Sequence, residues 1–173
     1  MVFTHDDRLP EAVRRQAIEA TVLEVQRREG SEVEVRKVDS PLDRYFRDAW
    51  ALIKTRELPP PVVDRVVPGL CRQGLETACI EVVRRRRLTR GESHREVEEL
   101  LTDNSTLMVR LALALCDDPA KGGEVRALLS KKFGPRAGEV VDACNRGAHG
   151  RLTADFEFVR EIRQLANRII RMS

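Results

Sequence analysis

From Pro41 to the C-terminus, the apolar residues of this chain return every three or four positions. That period traces one face of an α-helix, so a chain that keeps it this long folds as packed helices. "PLDRYFRDAWALIKTREL" sets Tyr45, Phe46, Ala49, Trp50, Leu52 and Ile53 on one broad face, with Asp and Arg opposite. "LPPP" closes that helix, because a residue before proline is driven out of the α region. A long helix follows over about Val62–Leu88, with Cys71, Leu75, Ala78, Cys79, Val82 and Val83 as its buried stripe. Pro68 marks its first turn or a kink. Ser93 then caps an amphipathic helix that begins near His94, a surface residue. "STLMVRLALAL" is the most apolar helix and belongs near the centre. After "CDDPAKGG" breaks the chain, "EVRALLSKKF" and "GPRAGEVVDACNRGAHG" give two more helices. The last, "ADFEFVREIRQLANRII", carries Phe156, Val159, Ile162, Leu165 and Ile169 inward.

Residues 1–40 obey a different period. "MVFTH" reads as a short strand, Pro10 opens a short helix through "PEAVRRQAI", and "TVLEVQRREGSEVEVRKV" alternates about Glu29-Gly30-Ser31 as a β-hairpin does. A strand and a hairpin bury little alone, so this part needs the rest of the chain, a second copy or another body. The expected fold is mainly α. A bundle of six or seven helices over 41–173 follows a small strand–helix–hairpin appendage over 1–40.

Composition narrows the partners. Aromatics make up 4% of the chain, so the core is Leu, Val, Ile and Ala, and the 34% of charged residues suit wide solvated helix faces. A net charge of +3 permits nucleic acid without requiring it. Cys71, Cys79, Cys116 and Cys144 show no CxxC spacing and sit among apolar neighbours. They read as reduced, buried thiols, not as a disulfide frame or a metal site. No apolar run approaches the ~20 residues that span a bilayer, and no signal peptide precedes residue 1. The expectation is a cytoplasmic protein with no membrane partner and no cofactor.

"VVDACNRGAHGR" carries the chemistry-bearing residues. Asn145 and His149 are four apart, hence neighbours on a helix face, and Arg146 can reach them. Gly147 and Ala148 leave the imidazole unshielded. His149 titrates near neutral pH and can move a proton, while an arginine offers a charge-assisted fork to a phosphate. The bland alternative is a helix end whose Asn and His cap free carbonyls. In "VPGLCRQGLETAC", Arg72 and Glu76 form an i,i+4 pair. It is either a surface ion pair or a device in which Glu76 orients Arg72 or His149.

"VPGLCRQGLETAC" followed by "ACNRGAHG" resembles HEPN-type helical domains, which show an Arg-x-x-Leu-Glu helix and a later Arg-Asn-x-x-x-His signature. The resemblance spans residues 41–173. It implies a four- or five-helix core that dimerises with its polar motifs face to face. In active members it implies metal-independent RNA cleavage by His and Arg. Carried over, Asn145 takes the motif Asn and His149 the motif His. The motif Arg falls on Cys144, which offers no cation, so Arg146 or Arg72 would stand in. Many such domains bind or assemble without catalysis.

"VFTHDDRL" and the hairpin after it resemble the switch-histidine segment of ABC/SMC-type ATPases, which would make His5 a γ-phosphate sensor. The chain has neither a GxxxxGK[ST] loop nor a strand ending in paired acids, so an ATPase is implied as partner or parent chain. "EVVRRRRLTRG" gathers Arg84, Arg85, Arg86, Arg87 and Arg90 at a helix end, either as cations suited to the helix dipole or as a phosphate-binding patch. Three readings follow. The first is a HEPN-like nucleic-acid- or partner-binding homodimer beside an ATPase in bacterial nucleic-acid processing or phage defence. The second is a metal-independent endoribonuclease, and the third a structural C-terminal domain of an ATPase.

Overall fold

The computed structural model describes residues 1–5, 9, 12–13, 18, 20–27, 29–37, 41–55, 57–146 and 154–172, without the side chains of residues 36, 41 and 146. The chain divides into two compact units, Met1–Ser40 and Pro41–Ser173.

In the first unit, β1 (Leu23–Arg27) pairs antiparallel with β2 (Val33–Lys37). The register sets Leu23 opposite Lys37, Val25 opposite Val35 and Arg27 opposite Val33. With a side-chain period of two, Leu23, Val25, Val33 and Val35 therefore share one face, and all four are exposed. Glu29–Ser31 make the connecting turn, where Gly30 takes φ 78°, a region that suits a residue without Cβ. Residues 1–5 form no strand, contrary to the short strand expected of "MVFTH". A strand needs a partner for its amide groups, and the sheet consists of β1 and β2 among the described residues. The helix expected over "PEAVRRQAI" falls mainly outside the described residues.

Among the described residues the second unit is a bundle of seven helices, within the six or seven expected. These are α1 (Pro41–Lys54), α2 (Pro60–Thr89), α3 (His94–Asp103), α4 (Leu107–Cys116), α5 (Val125–Phe133), α6 (Pro135–Arg146) and α7 (Phe156–Ile170), with a 3-10 segment at Pro119–Glu124. At about 1.5 Å per residue, α2 is roughly 45 Å long and forms the spine of the unit. It packs against α1, α3, α4, α6 and α7. Prolines 60 and 61 occupy its first turn, where a missing N–H costs nothing, and Pro68 lies inside it. Leu111–Leu115 of α4 are buried on consecutive positions, so that helix is enclosed on all sides there. Ser93 caps α3 in a full capping box: its Oγ accepts from the Glu96 backbone N–H, and Glu96 accepts from the Ser93 N–H at 2.8 Å.

A core assignment on α7 changes. Phe158, 5% exposed, fills the inward place on α7, whereas Phe156 is 47% exposed. Phe158 precedes Ile162 by four residues and so joins the stripe. Phe156 lies two residues earlier, about 200° around the helix.

Helices α1 and α2 approach closely at Gly74. A Cβ at Gly74 would lie 2.9 Å from the Phe46 ring, while one at Gly69, on the same helix, would meet nothing within 4 Å. Gly69→Ala is therefore expected to stabilise the protein by about 0.5–1 kcal/mol through lost backbone entropy. Gly74→Ala is expected to destabilise it by about 1–3 kcal/mol through overpacking. Urea denaturation of the two variants should show midpoint shifts of opposite sign.

Candidate functional site

Arg72 and Glu76 sit one turn apart on α2, and their pairing is real but only half of the arrangement. Arg72 Nε donates to Glu76 Oε1 at 2.9 Å, and Arg110 Nη1 donates to Glu76 Oε2 at 3.1 Å. One carboxylate thus bridges two guanidinium groups from different helices, leaving a net positive charge. Glu76 and Arg110 are 16% and 17% exposed, while Arg72 at 38% reaches solvent. The terminal nitrogens of Arg72 have no partner among the described residues. Glu76 therefore fixes the root of the Arg72 fork and leaves its prongs available. Arg110 was not among the residues the motifs suggested. Its signal in the sequence is that it is the one charged residue of α4, "LMVRLALALC", and such a residue rarely enters a core without a counter-charge.

The second motif helix lies against the first, since α6 packs on α2. Cys144 is 2% exposed and has Cys71 and Arg72 as electrostatic neighbours. Burial drives its thiol well above the ordinary cysteine range, with Cys71 adding to the rise and Arg72 opposing it. Burial pushes the Cys71 thiol up to about 12 and also raises Cys79. All four cysteines are free, and Cys116 is half-buried with its Sγ against the Ala112 carbonyl, so it departs from the buried set. Asn145, the next residue on α6, is exposed. Arg72 thus links Glu76, its ion-pair partner, to Cys144 of α6, which Asn145 follows in the chain. Arg146 ends α6, and its side chain is not described. His149 lies outside the described residues. His5 is exposed in a bend of the first unit.

The arginine run faces the fold. Arg84 makes a bidentate pair with Glu98 of α3 at 2.7 and 2.8 Å. Arg85 donates to the Ile170 carbonyl at the end of α7, and Arg86 to the Leu113 and Ala114 carbonyls at the end of α4. Arg87 holds Glu92 and Asp117, and Arg90 holds Asp117 as well. All five guanidinium groups have partners within their own unit. The partners are carboxylates and carbonyls of the last helical turns, of which Leu113 also accepts from the Asp117 N–H.

Among the described residues, no group of three or more His, Cys, Asp or Glu could hold a metal ion, and no helix is long and apolar enough to cross a membrane. No protein-family model, no curated protein and no solved structure matches the chain.

Three outcomes check this geometry. Glu76→Gln, which leaves two facing cations without their shared anion, is expected to destabilise the protein by about 3 kcal/mol. In a double-mutant cycle with Arg110→Met, the pair should couple by about 0.5–3 kcal/mol in urea melts. Under native conditions at pH 8, a thiol reagent should modify Cys116 first, with Cys71, Cys79 and Cys144 reacting only on unfolding, as mass spectrometry would reveal.

Proposed function

We propose that residues 41–173 are a HEPN-like nucleic-acid-binding and dimerisation module, with Arg72 as its phosphate contact, acting beside an ATPase in bacterial nucleic-acid processing or phage defence. One observation carries the reading. Arg72 is anchored through Nε by Glu76, its terminal nitrogens have no partner among the described residues, and it neighbours Cys144. A guanidinium held at its root and free at its prongs suits bidentate contact with a phosphate, and Arg110 behind Glu76 keeps the local charge positive. RNA as the polymer, the second copy and the ATPase rest on the motif resemblances. In this reading the Arg84–Arg90 run holds helix ends, and a phosphate there would have to displace the intramolecular acceptors.

A second reading, a metal-independent endoribonuclease, draws on the pairing of Arg72 with Cys144. A cation from α2 stands beside the position where the motif calls for arginine, next to the exposed Asn145. His149 would then transfer the proton, and Arg72 or Arg146 would hold the scissile phosphate.

Arg72→Ala is expected to lower affinity for a single-stranded RNA about 10- to 100-fold, the loss of one charge-assisted contact. It should also reduce the slope of log affinity against log salt by about 0.7. Unchanged affinity and slope in a fluorescence-polarisation titration would end this reading. The nuclease is judged separately: RNA cleavage that survives His149→Ala removes it.

A further inference from the structure

The bundle exposes a second feature that its own packing does not explain. Trp50 and Lys54 on the last turns of α1 and Phe156, Glu157 and Arg160 on the first turns of α7 line a surface groove of about 350 Å³. A site near 300 Å³ is at the small end of the range that holds an organic ligand. Its two rings are the unusual part in a chain with so few aromatics. Phe156 is 47% exposed at the helix start, although the stripe beneath it needs only Phe158. Trp50 is half-buried and braced: the Arg163 guanidinium lies 4.9 Å from its ring centroid, and Arg163 is itself held by Asp43 at 2.9 Å. A ring fixed in this way loses little rotamer freedom when something stacks on it.

The charges around the rings decide what suits the groove. Lys54 is exposed with no ion-pair partner among the described residues, and Arg160 pairs with Glu157 at 2.6 Å, so the lining sums to one positive charge. Two apolar rings beside the Lys54 ammonium complement a planar, uncharged ring that carries an anion on a short tether. That is the chemistry of one nucleotide in a single strand, with the base against the aromatics and its phosphate toward Lys54.

We infer that the Trp50–Phe156 groove is a base-stacking subsite for single-stranded nucleic acid, with Lys54 receiving the adjoining phosphate. The inference rests on the nucleic-acid-binding reading of the same helical unit and adds what phosphate contact alone lacks, a place for a base. Stacking on aromatic faces is tolerant of base identity, so the subsite confers affinity for unpaired strands without choosing a sequence.

Trp50 is the chain's single tryptophan, so its emission reports on this groove and nowhere else. Titrating the full chain with a ten-nucleotide oligoadenylate RNA is expected to quench and shift that emission, while inorganic polyphosphate leaves it unchanged. Phe156→Ala, an exposed change expected to leave the urea midpoint in place, should weaken RNA binding about 5- to 100-fold. Because it removes no charge, it should keep the salt slope, unlike Arg72→Ala. Equal quenching by polyphosphate, or Phe156→Ala binding RNA as tightly as the parent, overturns the subsite. RNA binding that depends on Arg72 while Trp50 emission stays silent sinks this inference and leaves the phosphate reading standing. RNA binding at no concentration sinks both.

Discussion

Every α-helix ends in carbonyl groups that its own amides cannot reach, and a bundle that buries such ends must bring donors to them. Here several of the donors come from one place. The C-terminal turns of α2 send out consecutive arginines, and because neighbours on a helix diverge by about 100°, together they reach three different helices. Arg85 meets the end of α7, Arg86 the end of α4, Arg84 the Glu98 carboxylate on α3, and Arg87 the Asp117 that caps α4 in a left-handed conformation. Arg168 serves the end of α5 in the same way, donating to the Lys132 and Phe133 carbonyls. The pairs are half-buried and joined to backbone dipoles, which makes them worth more than the isolated surface bridges that contribute almost nothing.

Much of this architecture was legible in the residues. The three-and-four period named the helices, Ser93 with Glu96 marked the start of α3, and the stripe from Cys71 to Val83 is buried as read. What escaped is where periodicity says nothing. Charge runs look solvated in sequence because the acceptors of Arg85 and Arg86 are carbonyls more than 25 residues away. Phe156 and Phe158 are both apolar near a helix start, and only the packed neighbours select between them. The short apolar strand expected at residues 1–5 finds no pairing strand among the described residues.

The candidate site was legible in part for the same reason. Arg72 and Glu76 are local to one helix, so their spacing announced them, and the pairing stands at 2.9 Å. Arg110 is distant in sequence and entered only through the fold, as the second cation on one carboxylate. Cys144, which breaks the motif when the sequence is read alone, proves to be packed against the helix that supplies Arg72. A local pattern shows which groups exist, and the packing of α2 on α4 and α6 determines which of them act together.

The spine helix has one further consequence. Its arginine-bearing end is fastened to three other helices, while Arg72 stands about 20 Å back along the same rod, fifteen residues away at 1.5 Å each. The phosphate proposed for Arg72 would therefore press on a post whose foot is already anchored.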